Sequence, residues 1–141
     1  MDRMTEAQAR AFLDTGARTA TFATVRPDGR PHATPTWYIR DGEDYVFTSW
    51  HTTVKVHNLA ADPRAALVVQ DPEPPYDYVM VEGTAQVLDD VAECRRIAMA
   101  LGAKYMGEDK AEAFGARNGV PGEFVVRLRP TAIHGFAKIA E

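Results

Sequence analysis

Thr53, Lys55 and Asn58 place a hydroxyl, an ammonium and an amide at i, i+2 and i+5 of one short segment, Thr53-Val-Lys-Val-His-Asn-Leu-Ala-Ala-Asp-Pro-Arg64. They enter together where a helix is expected to begin. First-turn N–H groups there lack intrahelical partners, and the helix dipole favours negative charge. The combination suits an anion such as a phosphate. It is also how an ordinary helix starts when its lysine points into solvent, so the surroundings must decide between the two.

Other chemistry is sparse. There is no Gly-x-Ser-x-Gly elbow, no Cys/His pair at catalytic spacing and no carboxylate dyad, and no catalytic residue is assigned. His32, His51, His57 and His134 form no metal motif; His51 and His57 lie six apart, which misses one helix face. Surface or loop histidines are expected, and no metal site. Cys94 is the only cysteine, so a disulfide within the chain is excluded. It falls on an apolar helical stripe and reads as a buried structural thiol.

The elements that must position the anion segment are legible from periodicity and turns. A strand over Asp44 to Trp50 leads into it, and an Asp62-Pro-Arg corner with a second apolar run, Ala65 to Val69, follows. Upstream, residues 5–15 read as a helix capped by Thr5 and stopped at Gly16. Arg18 to Val25 is a strand, turned by Arg26-Pro-Asp-Gly-Arg30. From His32 to Ile39 residues alternate: Ala33, Pro35, Trp37 and Ile39 on one side, His32, Thr34, Thr36 and Tyr38 on the other. Pro35 cannot donate to a ladder and predicts an edge or a bulge.

Downstream, Tyr78 to Leu88 is the longest strand expected. Asp89 to Met106 is the clearest helix, with Cys94, Ile97, Ala98, Leu101 and Tyr105 at helical spacing. A further helical piece over Glu108 to Arg117 precedes a last strand, Glu123 to Leu128 and Ile133 to Phe136, bent at Pro130. The order predicts a mainly β, α+β domain spanning residues 1–141: a meander of antiparallel strands closed into a small barrel, with peripheral helices.

Composition narrows the partners. The formal net charge of −4 argues against non-specific nucleic-acid binding. No apolar run reaches the roughly 18 residues that span a bilayer, and the N-terminus lacks a secretory apolar core. A cytoplasmic protein is expected.

The chain resembles the split β-barrel flavin-binding family typified by pyridoxamine 5′-phosphate oxidase, and within it the branch that binds the deazaflavin coenzyme F-420. Three stretches carry the resemblance: Thr21-Phe-Ala-Thr-Val-Arg-Pro-Asp-Gly-Arg-Pro-His32, the Thr53 to Arg64 segment, and Tyr78-x-x-x-Glu82-Gly-Thr-Ala85. Their joint order and spacing are more specific than any one of them.

The resemblance implies a homodimer with a cofactor site at each subunit interface, a small organic acceptor and hydride transfer by the bound ring. In that reading Thr53 and Lys55 hold the cofactor phosphate, and Asn58 braces the loop. The backbone of Pro35, Thr36 and Trp37 flanks the ring, and Thr48 and Ser49 lie near its ribityl chain. Tyr78 and Met80 lie on a strand that reaches the cofactor, in that reading from the partner subunit. Trp37 and Trp50 either stack on a planar cofactor or fill the core, and the apolar side of Trp37 favours the core. Tyr38, on the polar side, borders either the pocket or the dimer seam.

FMN oxidases of this family carry a richer Arg/Lys set than the single Lys55 here. That departure favours F-420, with FMN as the alternative. A non-enzymatic coenzyme carrier, or an interaction module binding neither cofactor, are further readings. The family also has a haem-binding relative, which leaves His134 as an axial-ligand option.

Overall fold

Thr5 starts the chain's first helix by a reciprocal cap. Its hydroxyl accepts from the Gln8 N–H, and the Gln8 side chain accepts from the Thr5 N–H. The helix, α1 (Glu6–Asp14), buries Ala9 and Leu13 against the sheet. The computed structural model covers residues 1–141.

The strands are β1 (Asp2–Arg3), β2 (Ala20–Val25), β3 (Pro31–Thr36), β4 (Ile39–Asp41), β5 (Asp44–Trp50), β6 (Arg64–Gln70), β7 (Tyr78–Leu88) and β8 (Glu123–Ala137). Among them lie α2 (Val54–Ala61), α3 (Val91–Met106), a 3-10 turn (Glu108–Lys110) and α4 (Ala111–Asn118). All strands belong to one antiparallel sheet in the order β3-β2-β6-β7-β8-β5-β4, with β1 paired to β8. This is an α+β split-barrel architecture with peripheral helices. No helix is long and apolar enough to cross a membrane.

A simple meander is not what forms. β2/β3, β4/β5 and β6/β7 pair through turns, whereas β5 pairs with β8 and β6 with β2. The inserted α2 carries the chain from β5 across to β6, so the two strands flanking it lie in different parts of the sheet. β8 pairs with β5 along its first half and with β7 along nearly its whole length. The pairing slips by one residue at Glu82/Gly83, where Thr131, next to Pro130, is left without a partner. A Cβ at Gly83 would collide with the Arg129 carbonyl, so glycine is required there.

The two ends of the sheet path, β3 and β4, are consecutive in sequence, and the barrel is split between them. Here the expected strand over His32 to Ile39 is corrected. Its ladder stops at Thr36, and Trp37 and Tyr38 leave the sheet. Tyr38 lies in the core, not on a polar face, with its hydroxyl donating to the Leu13 carbonyl at 2.7 Å. Two side chains of α3 replace the ladder. Tyr105 Oη accepts from the Tyr38 N–H at 3.2 Å, and Lys104 Nζ donates to the Tyr38 carbonyl at 2.8 Å. Satisfying both backbone groups from a helix lets the chain depart from the sheet without stranding polar atoms.

The inward and outward sides of β3 also run against polarity. Thr36, Thr34 and His32 lie opposite the buried Ala20, Phe22 and Thr24, while Pro35 and Ala33 are exposed on the outer face. The core is otherwise apolar. Phe22 and Phe47 meet edge to face at 4.8 Å, Val46, Leu67, Val79, Val81, Val125 and Leu128 pack around them, and Cys94, Ile97 and Leu101 of α3 close one end.

Candidate cofactor-binding site

β5 delivers Thr48 and Ser49 to a cavity of about 340 Å³. Thr36 and Trp37 border it at the split, Ala98 and Leu101 from α3, Phe114, Arg117 and Asn118 from α4, and Trp50 and Glu123 at the β5/β8 end. That volume lies within the range of small-molecule pockets, and the lining mixes apolar walls with a few polar groups. Trp37 is half-buried and stacks on Tyr105, ring centroids 4.8 Å apart and planes within 4°. It both packs on the core and faces the cavity.

Four residues expected at a cofactor, Thr36, Trp37, Thr48 and Ser49, thus line one cavity. Thr53 joins it indirectly, since its hydroxyl lies 2.8 Å from that of Ser49. As a result no side chain caps the N-terminus of α2. Lys55 follows on the first turn, half-buried and without an ion pair. Burial holds its ammonium below the ordinary lysine value, and the charge of Glu123 opposes that shift. An uncapped helix start and a desolvated, unpaired cation form a donor set that fits a phosphate tail.

The other expected residues lie elsewhere. Asn58 is fully buried and donates to the Thr24 hydroxyl at 3.0 Å, fastening α2 to β2. Pro35 is outside this cavity; it borders an outer groove of about 380 Å³ with Thr19, Thr21, Val68 and Gln70, and a second outer groove together with Thr36 and Trp37. Tyr78 and Met80 pair with Phe136 and His134 at the far end of β8, on the outer face. A single chain does not bring them to the cavity. His134 is engaged at both ring nitrogens, Nε2 with Glu82 at 3.0 Å and Nδ1 with Arg3 at 3.4 Å, and it lies on the outer face away from the cavity.

Arg117, Asn118 and Glu123 went unnoticed in the sequence. They reach the cavity only because α4 folds back on α3 and β8 pairs with β5. Gly122 makes the turn that aims Glu123. Its φ is +96°, and a Cβ there would meet the Trp50 ring at 2.6 Å. Burial pushes the Glu123 carboxyl above the usual carboxylate range, opposed by the neighbouring Thr48 hydroxyl and by the charges of Arg117 and Lys55. Cys94 is buried with its thiol aimed at the Asn118 carbonyl at 3.3 Å, and burial lifts its pKa to about 11. It is structural and unreactive.

The sequence profile of the pyridoxamine 5′-phosphate oxidase family matches residues 5–137. The chain belongs to this family. Solved structures agree with the assignment. The conserved hypothetical protein Rv2991 from Mycobacterium tuberculosis is 25% identical with a TM-score of 0.83, over 94% of this chain and 84% of that one. An F-420 reductase is 30% identical with a TM-score of 0.69, over 86% of this chain and 93% of that one. The haem storage protein HutZ from Vibrio cholerae is 18% identical with a TM-score of 0.68, over 91% and 92%, a likeness of fold alone. No curated protein matches the chain. Within the pyridoxamine 5′-phosphate oxidase family, a flavin or deazaflavin is the chemistry that the cavity must be weighed against.

Proposed function

We propose that this family member is an oxidoreductase that binds reduced coenzyme F-420 and passes hydride to a small organic acceptor. One observation carries the reading: Lys55, half-buried and unpaired, stands on an uncapped helix turn tied through Thr53 and Ser49 to an aromatic-walled cavity. The 30% likeness to an F-420 reductase over 86% of the chain supports F-420 over FMN, as does the single lysine in the anion segment. When bound, the deazaflavin supplies the hydride. The chain's own residues bind and orient it: Lys55 and the first turn of α2 hold the phosphate, Thr48 and Ser49 flank the chain that follows, and Trp37 and Phe114 keep water from the ring.

A homodimer belongs to the same proposal. On the outer face, registered neighbours run Pro35, Thr21, Val68, Met80 across β3, β2, β6 and β7, beside Ala33, Ala23 and Ala66. A row of small and apolar side chains across four strands suits a second copy of the sheet. It would carry Tyr78 and Met80 towards the partner's site.

Titration with F-420 and with FMN, read by tryptophan fluorescence, tests the assignment, because Trp37 and Trp50 both border the cavity. Quenching by F-420 at lower concentration than FMN is expected. The reverse order would make this an FMN enzyme of the same fold, and no response to either would end the redox reading. Stopped-flow oxidation of the bound reduced coenzyme by candidate acceptors then separates a reductase from a carrier.

A further inference from the structure

The cavity holds a carboxyl that an anion-binding site would not be expected to contain. Glu123 lines it beside Thr48, Ser49 and Arg117. None of the chain's ion pairs includes Glu123, Arg117 or Lys55. One cation, Arg117, and one carboxyl, Glu123, therefore face one space, with Lys55 on the adjoining turn of α2 close enough to act on Glu123 through charge, and none of the three is held in an ion pair.

We propose that Glu123 is the proton acceptor of this pocket: a phosphate-bearing ligand enters together with one proton, taken up on the Glu123 carboxyl. The inference rests on the cavity being the cofactor site. An incoming anion brings a like charge towards a half-buried carboxylate and disfavours its ionised form. Protonation removes the repulsion and converts the carboxyl from an acceptor into an O–H donor, which an anionic or carbonyl oxygen can use. Burial has already moved Glu123 part of the way towards the neutral form.

The groups facing it from each packed element are compatible with such a role. The Thr48 hydroxyl on β5 lines the cavity with it and favours its ionised form, and Arg117 on α4 and Lys55 on α2 act on it through charge. Cys94 on α3 feels its charge and stays a thiol. His51, the nearest imidazole along the chain turn, holds its Nδ1 against the Gly122 carbonyl at 2.9 Å. Glu123 is thus the one carboxyl among these groups. The sign follows: ligand-bound protein holds more protons than free protein, so affinity falls as pH rises through the Glu123 titration, by up to about tenfold per pH unit for one linked proton.

The test is calorimetric titration of the parent and of Glu123→Gln with F-420 and with FMN. Each is run between about pH 5 and 8 in paired buffers of low and high protonation enthalpy, which counts protons directly. The FMN phosphate titrates near pH 6 on its own account (about that value for a monoester), and this contribution cancels between parent and variant. The parent should take up as much as one proton more than Glu123→Gln, whose affinity should vary less with pH. Equal proton counts in the two proteins overturn the proposal. So does a parent that binds with no uptake from F-420 at any pH, a result that needs no variant. Binding with no extra proton sinks the Glu123 role alone, whereas failure of both cofactors to bind removes the cavity assignment and this inference with it.

Discussion

The hydroxyls of Ser49 and Thr53 lie 2.8 Å apart and fasten the end of β5 to the N-cap of α2. This bond takes the Thr53 hydroxyl away from the capping role its position suggests, and leaves the first N–H groups of α2 uncapped. Thr53→Val keeps the side-chain volume and removes the bond, and should weaken cofactor binding by about 1 kcal/mol. Lys55→Ala should cost about 1–3 kcal/mol, the range for losing a charge-assisted hydrogen bond. Fluorescence titration measures both. Unchanged affinity in Lys55→Ala would remove that lysine from the site.

Lys104 and Tyr38 give the fold a two-sided dependence on pH. Burial lowers Lys104 from 10.5 to about 8, while its ammonium sits 3.8 Å from the centre of the Tyr38 ring. Between about pH 8 and 10.5 the unfolded chain therefore binds the extra proton, and this group makes stability rise with pH. Burial raises Tyr38, Tyr45 and Tyr105 above 10.0, so their contribution is complete below that value and is lost as pH rises further. Thermal midpoints across this range should lose their rising limb in Lys104→Met and keep the alkaline fall.

Tyr38→Phe deletes the hydroxyl that donates to Leu13 and leaves that carbonyl unpaired in the core. A loss of about 1–3 kcal/mol is expected in urea unfolding, from the orphaned acceptor. Phe22→Ala, at the aromatic contact with Phe47, should cost about 3–5 kcal/mol by the same measurement.

Val68→Glu places a charge at the middle of the outer row, between Thr21 and Met80. If two sheets meet there, light scattering should report a monomer in place of a dimer, with the circular dichroism spectrum unchanged. A parent that is itself monomeric would refute the paired-sheet proposal.

Much of this architecture was legible in local signals. Thr5 caps the helix it was expected to cap, and the helix expected over Asp89 to Met106 forms as Val91–Met106, because caps and periodicity act within a few residues. The edge placement of β3 followed from Pro35, which has no N–H to give. The split at Trp37 was hidden, since the residues that stabilise it, Lys104 and Tyr105, lie on a helix far along the chain. Polarity misassigned Tyr38 for the same reason: an alternating pattern describes a strand only while the ladder continues. Thr36 and Trp37, at and just past the end of β3, meet Thr48 and Ser49 of β5 at the cavity although the two strands do not pair. Glu123 and Arg117 could not be foreseen, because their arrival depends on which strand β5 chooses as its partner.

The fastening of Trp37–Tyr38 to α3 separates scaffold from lid within one barrel. The ladders fix where Thr48 and Ser49 stand, but the opposite wall hangs from two side chains of a helix that contributes no strand pairing. Lengthening or re-angling the α3–α4 hairpin would therefore reshape the opening that an acceptor meets while every inter-strand register stayed as it is. Redesign for a new acceptor should begin in that hairpin and leave the sheet untouched.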